Sequence, residues 1–333
     1  MRLVQYVGAG GARQVARVSD TGDRLEIIEG TDRVYHLAME AIATGRSLAD
    51  VAAVRASGRF DDYDAVVAGG RLLPPLDHPD PYRWLVTGTG LSHLGSAAAR
   101  DSMHAKLQQA EAALTDSMKM FKWGVEGGKP AAGAIGTPPE WFYKGDGRWI
   151  VPPEGTLEWP AFAKDGGEEV EVCGLYVVAP DGSPVRVGFA LGNEYSDHVT
   201  ERENYLYLAH SKLRQSSYGP ELLVGDLPRS VKGTARLLRD GHAVWSGDWL
   251  SGEDNMCHAI ANLEHHHFKY HQFRGPGDVH VHYFGAATGS FTQKVETRLG
   301  DVFEIAAEGF GRPLRNTLGP AAEPLRHVAV RTL

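Results

Sequence analysis

Residues 168–178, Glu168-Glu169-Val170-Glu171-Val172-Cys173-Gly174-Leu175-Tyr176-Val177-Val178, begin acidic and end apolar, and no other segment constrains the fold as strongly. In a strand, residues two apart share a face. Glu169 and Glu171 therefore project together, while Val170 and Val172 turn the other way into packing. Two oxygen donors on one rigid strand suit a hard cation such as Mg²⁺, which also keeps waters for a substrate to displace. Alternating glutamates are common on solvated strand faces as well, and by spacing alone that reading leads.

Around this run, strands are expected at 149–151, 185–190, 243–249, 279–284 and 302–306. The 40 glycines add tight turns, so the larger part of the chain reads as β-dominated. The first 80 residues read as a unit of their own, with strands at 4–7, 14–18 and 24–28. Thr31 or Asp32 can cap a helix through Ala43, and Ser47 a second through Arg55. Pro74, Pro75, Pro79 and Pro81 then mark a linker, because proline removes amide donors and fixes the backbone. Residues 96–122 form the longest helical pattern, with Met103, Leu107, Ala110 and Leu114 on one face. The glycine-rich stretch 124–136 follows it and reads as a mobile cover. The expected organisation is thus a small α+β domain over 1–80 and a β-dominated domain over 81–333, with a helical lid insertion at about 96–140.

Downstream of the acidic run come Asn193-Glu194-Tyr195-Ser196 and then Ser211-Lys212, followed by Tyr218-Gly219-Pro220. Each signal is weak alone. In series they resemble the catalytic region of the fumarylacetoacetate hydrolase superfamily. Upstream, Gly90-Leu91-Ser92-His93 is similar to that family's histidine loop, and Tyr143-Lys144-Gly145-Asp146-Gly147 to its lysine segment. Gly300-Asp301-Val302-Phe303-Glu304-Ile305 and Gly309-Phe310-Gly311, with Asn316, resemble its closing strand and turn. The resemblance spans about 85–317. It implies an α+β fold of the fumarylacetoacetase C-terminal type, a mixed β-sandwich roll. It also implies Glu169, Glu171 and Glu194 as ligands of Mg²⁺, with Mn²⁺ or Ca²⁺ able to stand in its place. Lys212 and His93 are implied as the catalytic pair, and Ser92, Lys144, Ser196, Tyr218 and Ala286 as substrate contacts.

The pattern departs from the family at four places. Glu194 stands where Asp is usual, His198 replaces an Arg, Ser96 replaces the Glu that hydrolytic members place three residues after the histidine, and Ala286 falls in an altered Thr-Gly-Thr motif. Without that Glu, His93 lacks its local orienting acid, and Glu126 is one possible substitute. The segments 117–123 and 140–143 resemble the sugar-acid branch, whose members act on 2-keto-3-deoxy acids, several of them as dehydratases. That branch implies a cation polarising a 2-oxo acid, a C3 proton removed, and a C4 hydroxyl expelled. Lys212 serves as base if desolvation lowers its pKa, with His93 as acid, or the roles reversed. A 2-keto-3-deoxypentonate would give 2-oxoglutarate semialdehyde. The competing readings are a hydrolase of 2,4-dioxo acids and a non-catalytic metal- or ligand-binding protein.

Other features carry less. The net charge of −8 and the lack of a basic stripe argue against nucleic acid. No stretch approaches the roughly 20 apolar residues of a membrane span. The opening residues are interrupted at Gly8 and do not read as a secretory signal, and Cys173 and Cys257 are too few for a disulfide framework, so a reducing cytoplasm is expected. His265, His266, His267 and His271 read as a solvated or interface cluster, and His280 and His282 as packing or support. Gly88 and Gly90 lack the strand–glycine–helix context of a nucleotide loop. The expected partners are a small 2-oxo acid and a second copy of the chain, as a homodimer or a dimer of dimers.

Overall fold

The computed structural model describes residues 1–95 and 114–333. The expected helix over 96–122 and Ser96 therefore fall largely outside the described residues, which resume at Leu114 and contain one helix of that region, Asp116–Gly127.

Two sheets organise the chain. The larger has 11 strands in the order β4-β3-β2-β1-β11-β10-β9-β14-β6-β7, with β5 paired to β1 beside that path. Its strands are β1 (Arg2–Val7), β2 (Arg13–Val18), β3 (Arg24–Ile28), β4 (Ala56–Asp62), β5 (Leu72–Leu73), β6 (Trp84–Gly90), β7 (Glu140–Asp146), β9 (Val170–Val178), β10 (Pro184–Asn193), β11 (Ser217–Leu223) and β14 (Val279–Tyr283). The smaller sheet has five, β13-β12-β15-β16-β8, drawn from β8 (Thr156–Glu158), β12 (Val231–Arg239), β13 (His242–Ser251), β15 (Val302–Ala307) and β16 (Leu314–Gly319). Parallel pairing occurs between β14 and β6 and between β16 and β8. The β-dominated α+β architecture expected from the sequence is the one observed.

The acidic run sits at the centre. β9 is buried along its whole length, so both of its faces must be packed. Val170 and Val172 face the smaller sheet, joining Phe189, Leu191, Phe303 and Ile305. Cys173, Leu175 and Val177 pack on the opposite face with the helices α1 (Val34–Thr44) and α2 (Leu48–Val54). Glu169 and Glu171 start that second face, and Glu171 is wholly buried. A solvated strand face is thereby excluded.

Three expectations need correction. The first 80 residues do not hydrogen-bond as a separate unit: β1 pairs with β11, so their sheet continues into the rest of the chain. They keep a core of their own around Tyr6, Leu25, Tyr63 and Val66. The expected strand at 149–151 is reduced to a single parallel bridge, Ile150 to Ser216, after a short 3₁₀ turn, Gly147–Trp149, capped by the side chain of Asp146. The glycine-rich cover is pinned. Asn262 accepts from the Gly136 amide at 3.0 Å and donates to Thr137 O at 2.9 Å, and His266 Nε2 lies 2.9 Å from Gly136 O. Here glycine serves close approach, since a Cβ on Gly124 or Gly128 would collide with His258.

Candidate active site

The antiparallel pairing of β9 and β10 sets Asn193 opposite Val170. The Glu194 amide then donates to Glu169 O at 3.1 Å, bringing the third acid beside the first two. Ligand oxygens of Glu169, Glu171 and Glu194 lie within 4.8 Å of one another, and all three residues are buried. Among the described residues no other cluster of His, Cys, Asp or Glu meets that geometry. The histidines at 265–267 and 280–282 do not: His267 and His282 stack face to face with centroids 4.6 Å apart, packed near Trp141 and Phe273.

Two lysines serve the carboxylates. Lys144 projects from β7, is 2% exposed, and pairs through Nζ with Glu194 Oε1 at 2.5 Å while donating to Tyr195 O and Lys212 O. Lys212 ends the short helix Leu208–Lys212 and bridges Glu169 and Glu194 Oε2, with Ser196 Oγ at 3.3 Å. His198 adds a third basic group, with Nε2 3.2 Å from Glu169 and Nδ1 3.1 Å from Asp165.

These contacts pull the acids apart electrostatically. Burial alone would raise the pKa of Glu169, but Lys212 and His198 outweigh it and hold this carboxyl well below its usual range. Burial, then Glu194 and Glu169, push Glu171 well above. Burial raises Glu194 to about 7 against the pull of Lys144 and Lys212. Lys212 was expected to become a neutral base through desolvation. Burial does act that way, but Glu169, Glu194 and Glu201 overcome it and keep the ammonium charged. Lys144 is the lysine whose pKa falls, because burial exceeds the help from Glu194. For His198, burial is outweighed by Asp165 and Glu169, and its pKa rises to about 10.

Glu171 Oε2 accepts from the Gly285 amide at 2.7 Å, whereas its Oε1 is buried without a partner among the described residues. An all-oxygen set with an orphaned carboxylate oxygen suits a hard divalent cation. Mg²⁺, Mn²⁺ or Ca²⁺ therefore fits the donor chemistry. The loop that supplies Gly285 is fastened by Glu168, whose carboxylate accepts from the Ser290 amide at 2.6 Å and Ser290 Oγ at 3.0 Å. Ala286 lies exposed on this loop, one residue beyond the amide that holds Glu171.

Ser92 and His93 stand one step further out. Ser92 Oγ donates to Phe284 O, and His93 bonds Ser92 Oγ at 3.0 Å and Ser251 Oγ at 2.8 Å. Among the described residues no acid partners His93, and burial lowers its pKa to about 4. Both ring nitrogens are thus occupied by protein hydroxyls, which does not match the expected proton donor. Glu126 is not the missing partner, since it faces Lys122 at 3.8 Å. Tyr218 is also corrected. It lies on the face that carries Glu171, but Tyr283 fills the space over Gly192 between them, and the Tyr218 hydroxyl donates to Leu76 O in the core.

Glu140, which opens the segment 140–143, lies near the site. Residues 140 and 142 of β7 share a face, and a bulge in the pairing with β6 follows at Lys144. Lys144 reaches Glu194, Phe142 lies under Lys212 Nζ at 5.0 Å, and buried Glu140 accepts from Tyr205. The alternation of Glu140 and Phe142 is a readable signal, whereas the bulge at Lys144 is not. Tyr205 lies in a short 3₁₀ turn, Tyr205–Tyr207, with no such signal.

No family model matches the sequence, and no curated protein matches it. Solved structures do. A 2-keto-3-deoxy-D-arabinonate dehydratase in its apo form is similar with a TM-score of 0.68 at 18% identity, over 97% of this chain and 100% of that one. A 2-keto-3-deoxy-D-arabinonate dehydratase complexed with magnesium and 2,5-dioxopentanoate gives 0.69 at 17% identity over the same shares, 97% and 100%. A 5-carboxymethyl-2-hydroxymuconate delta-isomerase from Mycobacterium smegmatis gives 0.57 at 16% identity, over 96% of this chain and 100% of that one. The chain has the fumarylacetoacetase C-terminal-like fold that these dehydratase and isomerase structures share.

Proposed function

We propose that the protein is a Mg²⁺-dependent dehydratase of a 2-keto-3-deoxy sugar acid of the pentonate type. The observation that carries this reading is the convergence of Glu169, Glu171 and Glu194, with one oxygen of Glu171 buried and unpartnered. Likeness to a dehydratase bound to magnesium and 2,5-dioxopentanoate supports the substrate class.

Glu169, Glu171 and Glu194 would hold the cation, which would supply Lewis acidity to a 2-oxo acid. The chain's own residues handle the protons. Lys212 Nζ, bridging two of the ligand carboxylates, is the group placed to take the C3 proton. A cation held by those carboxylates would take over their charge, and burial would then favour the free amine. The same Nζ returns the proton to the C4 hydroxyl as the C–O bond breaks, so water leaves and Lys212 ends as it began. Lys144 fixes Glu194, and Phe142 shields Lys212 from water. His93 positions the loop through Ser92 and Ser251.

The hydrolase reading requires an activated water, and Ser96 in place of the hydrolytic Glu, with serine hydroxyls on both His93 nitrogens, disfavours it. A panel of 2-keto-3-deoxy sugar acids and 2,4-dioxo acids, assayed with Mg²⁺ and resolved by product analysis, decides between them. One product with loss of water supports the dehydratase; two acid fragments overturn it.

We also place the enzyme in the cytoplasm, in keeping with two buried free cysteines, and as a homodimer or dimer of dimers. Tyr143, Trp149, Phe162, Leu213, Leu325 and Val328 are exposed around a cavity of about 890 Å³, an apolar surface suited to a second copy. Sedimentation at micromolar concentration tests the assembly, and a monomer there refutes it.

A further inference from the structure

We propose that Glu140, Tyr205 and Glu201 form a selecting wall that admits a 2-oxo acid with a neutral, hydroxyl-bearing tail and turns away one with a second carboxylate. The inference rests on the reading of the carboxylate site as a 2-oxo acid site. It adds what lies opposite the reacting end.

The wall follows from β7. Glu140 and Phe142 point the same way, over Gly90 and Gly88, about 7 Å apart along the strand, and a bulge at Lys144 follows them. Lys144 stands at Glu194, Phe142 beneath Lys212, and Glu140 one step beyond. That ordering runs outward from the carboxylates, as the tail of a bound acid would. Glu140 is 8% exposed. Its Oε2 accepts from the Tyr205 hydroxyl, and its Oε1 has no hydrogen-bond partner among the described residues. The carboxyl lies directly over Gly90, in space that a Cβ at that position would take. Burial raises its pKa, against the pull of Tyr205 and Lys212, so it is an unwilling anion that favours a hydroxyl partner.

Glu201 completes the wall from the helix His198–Glu203, with Oε2 3.8 Å from Lys212 Nζ and 3.5 Å from Ser211 Oγ. Among the described residues, no Lys or Arg other than Lys212 forms a hydrogen bond or ion pair with Glu140, Tyr205 or Glu201. Lys212 is already shared between Glu169 and Glu194. A distal carboxylate would therefore meet two acids and no free cation, whereas a hydroxyl can donate to Glu140 Oε1 and accept from Tyr205.

The test is calorimetric binding to the full-length, Mg²⁺-loaded protein of three five-carbon acids that this chemistry cannot dehydrate. They are 5-hydroxy-2-oxopentanoate, 2-oxopentanoate and 2-oxoglutarate. Wild type should bind the hydroxy acid at least tenfold more tightly than 2-oxoglutarate. Glu140→Gln should tighten 2-oxoglutarate about tenfold and change 2-oxopentanoate less than threefold. Tyr205→Phe, a change at the surface-exposed turn, should weaken the hydroxy acid alone. If 2-oxopentanoate binds but 2-oxoglutarate matches the hydroxy acid, or Glu140→Gln leaves their ratio unchanged, the wall is refuted while the site reading stands. If none of the three binds, the site reading fails and takes this inference with it.

Discussion

Replacing Glu171 by Gln should stabilise the metal-free protein and remove its response to Mg²⁺. Oxygens of the three glutamates lie within 4.8 Å, and at that separation two unit charges repel by roughly 3.5 kcal/mol at an effective dielectric of about 20. Ionised Glu171 faces two such neighbours and one opposing cation, Lys212, so about one repulsion is uncompensated, and burial adds to it. Protonation limits the penalty. Holding a carboxyl neutral at pH 7, when the unfolded chain ionises near 4.3, costs about 3.7 kcal/mol. The folded pKa is raised, so the folded state keeps a proton that the unfolded state has lost, and wild-type stability falls as pH rises above about 4.3. Gln is neutral throughout and can still accept from the Gly285 amide. In chelator, the variant should match wild type near pH 4 and exceed it by about 2–3.5 kcal/mol at pH 7. With Mg²⁺ at about a hundred times its Kd, wild type should gain about 2.7 kcal/mol and the variant nothing. Urea unfolding across this pH range, with chelator and with Mg²⁺, measures all of these quantities. A variant less stable than wild type in chelator at pH 7, or Mg²⁺ stabilising both proteins equally, would refute the reasoning.

Other outcomes follow from the same geometry. Lys212→Ala should lower kcat at least about 10²-fold, the scale for a positioned base, whereas His93→Ala should lower it less than tenfold; equal losses would restore His93 as a proton donor. Lys144→Met leaves Glu194 without its buried partner, and thermal melts should show destabilisation of about 3 kcal/mol, as expected for breaking a buried pair. Burial holds His93 and His258 at about 4 and His280 and His282 at about 3, so the folded state resists protons that the unfolded state takes up below about 6.5. Stability should therefore be full above that pH and fall by up to about 1.4 kcal/mol per pH unit per imidazole as pH drops toward 4. His280→Asn should make that acid transition shallower, and an unchanged slope would count against it.

The glutamate run, read as a period-two pattern, determined that Glu169 and Glu171 share a face, and the fold and the third acid came from the family resemblance of the ordered series after it. The first inference needed only local geometry. Strand edges were mostly legible where alternation or an apolar run was strong, as in β3 and β9. The sequence could not place β1 against β11, because strand pairing between residues 2 and 223 is a long-range choice with no local mark. Charge state was likewise beyond it. Lys212 carries the same side chain wherever it lies, and only the packing that sets Glu169, Glu194 and Glu201 around it raises its pKa against burial. Tyr218 stands on the correct face by alternation, yet the Tyr283 ring over Gly192 screens it from Glu171. Glu140 became part of the site because β7 closes the end of the sheet over Lys212. Spacing fixes which side chains look the same way, and tertiary structure decides what they look at, since burial and neighbouring charge come from residues far apart in the chain.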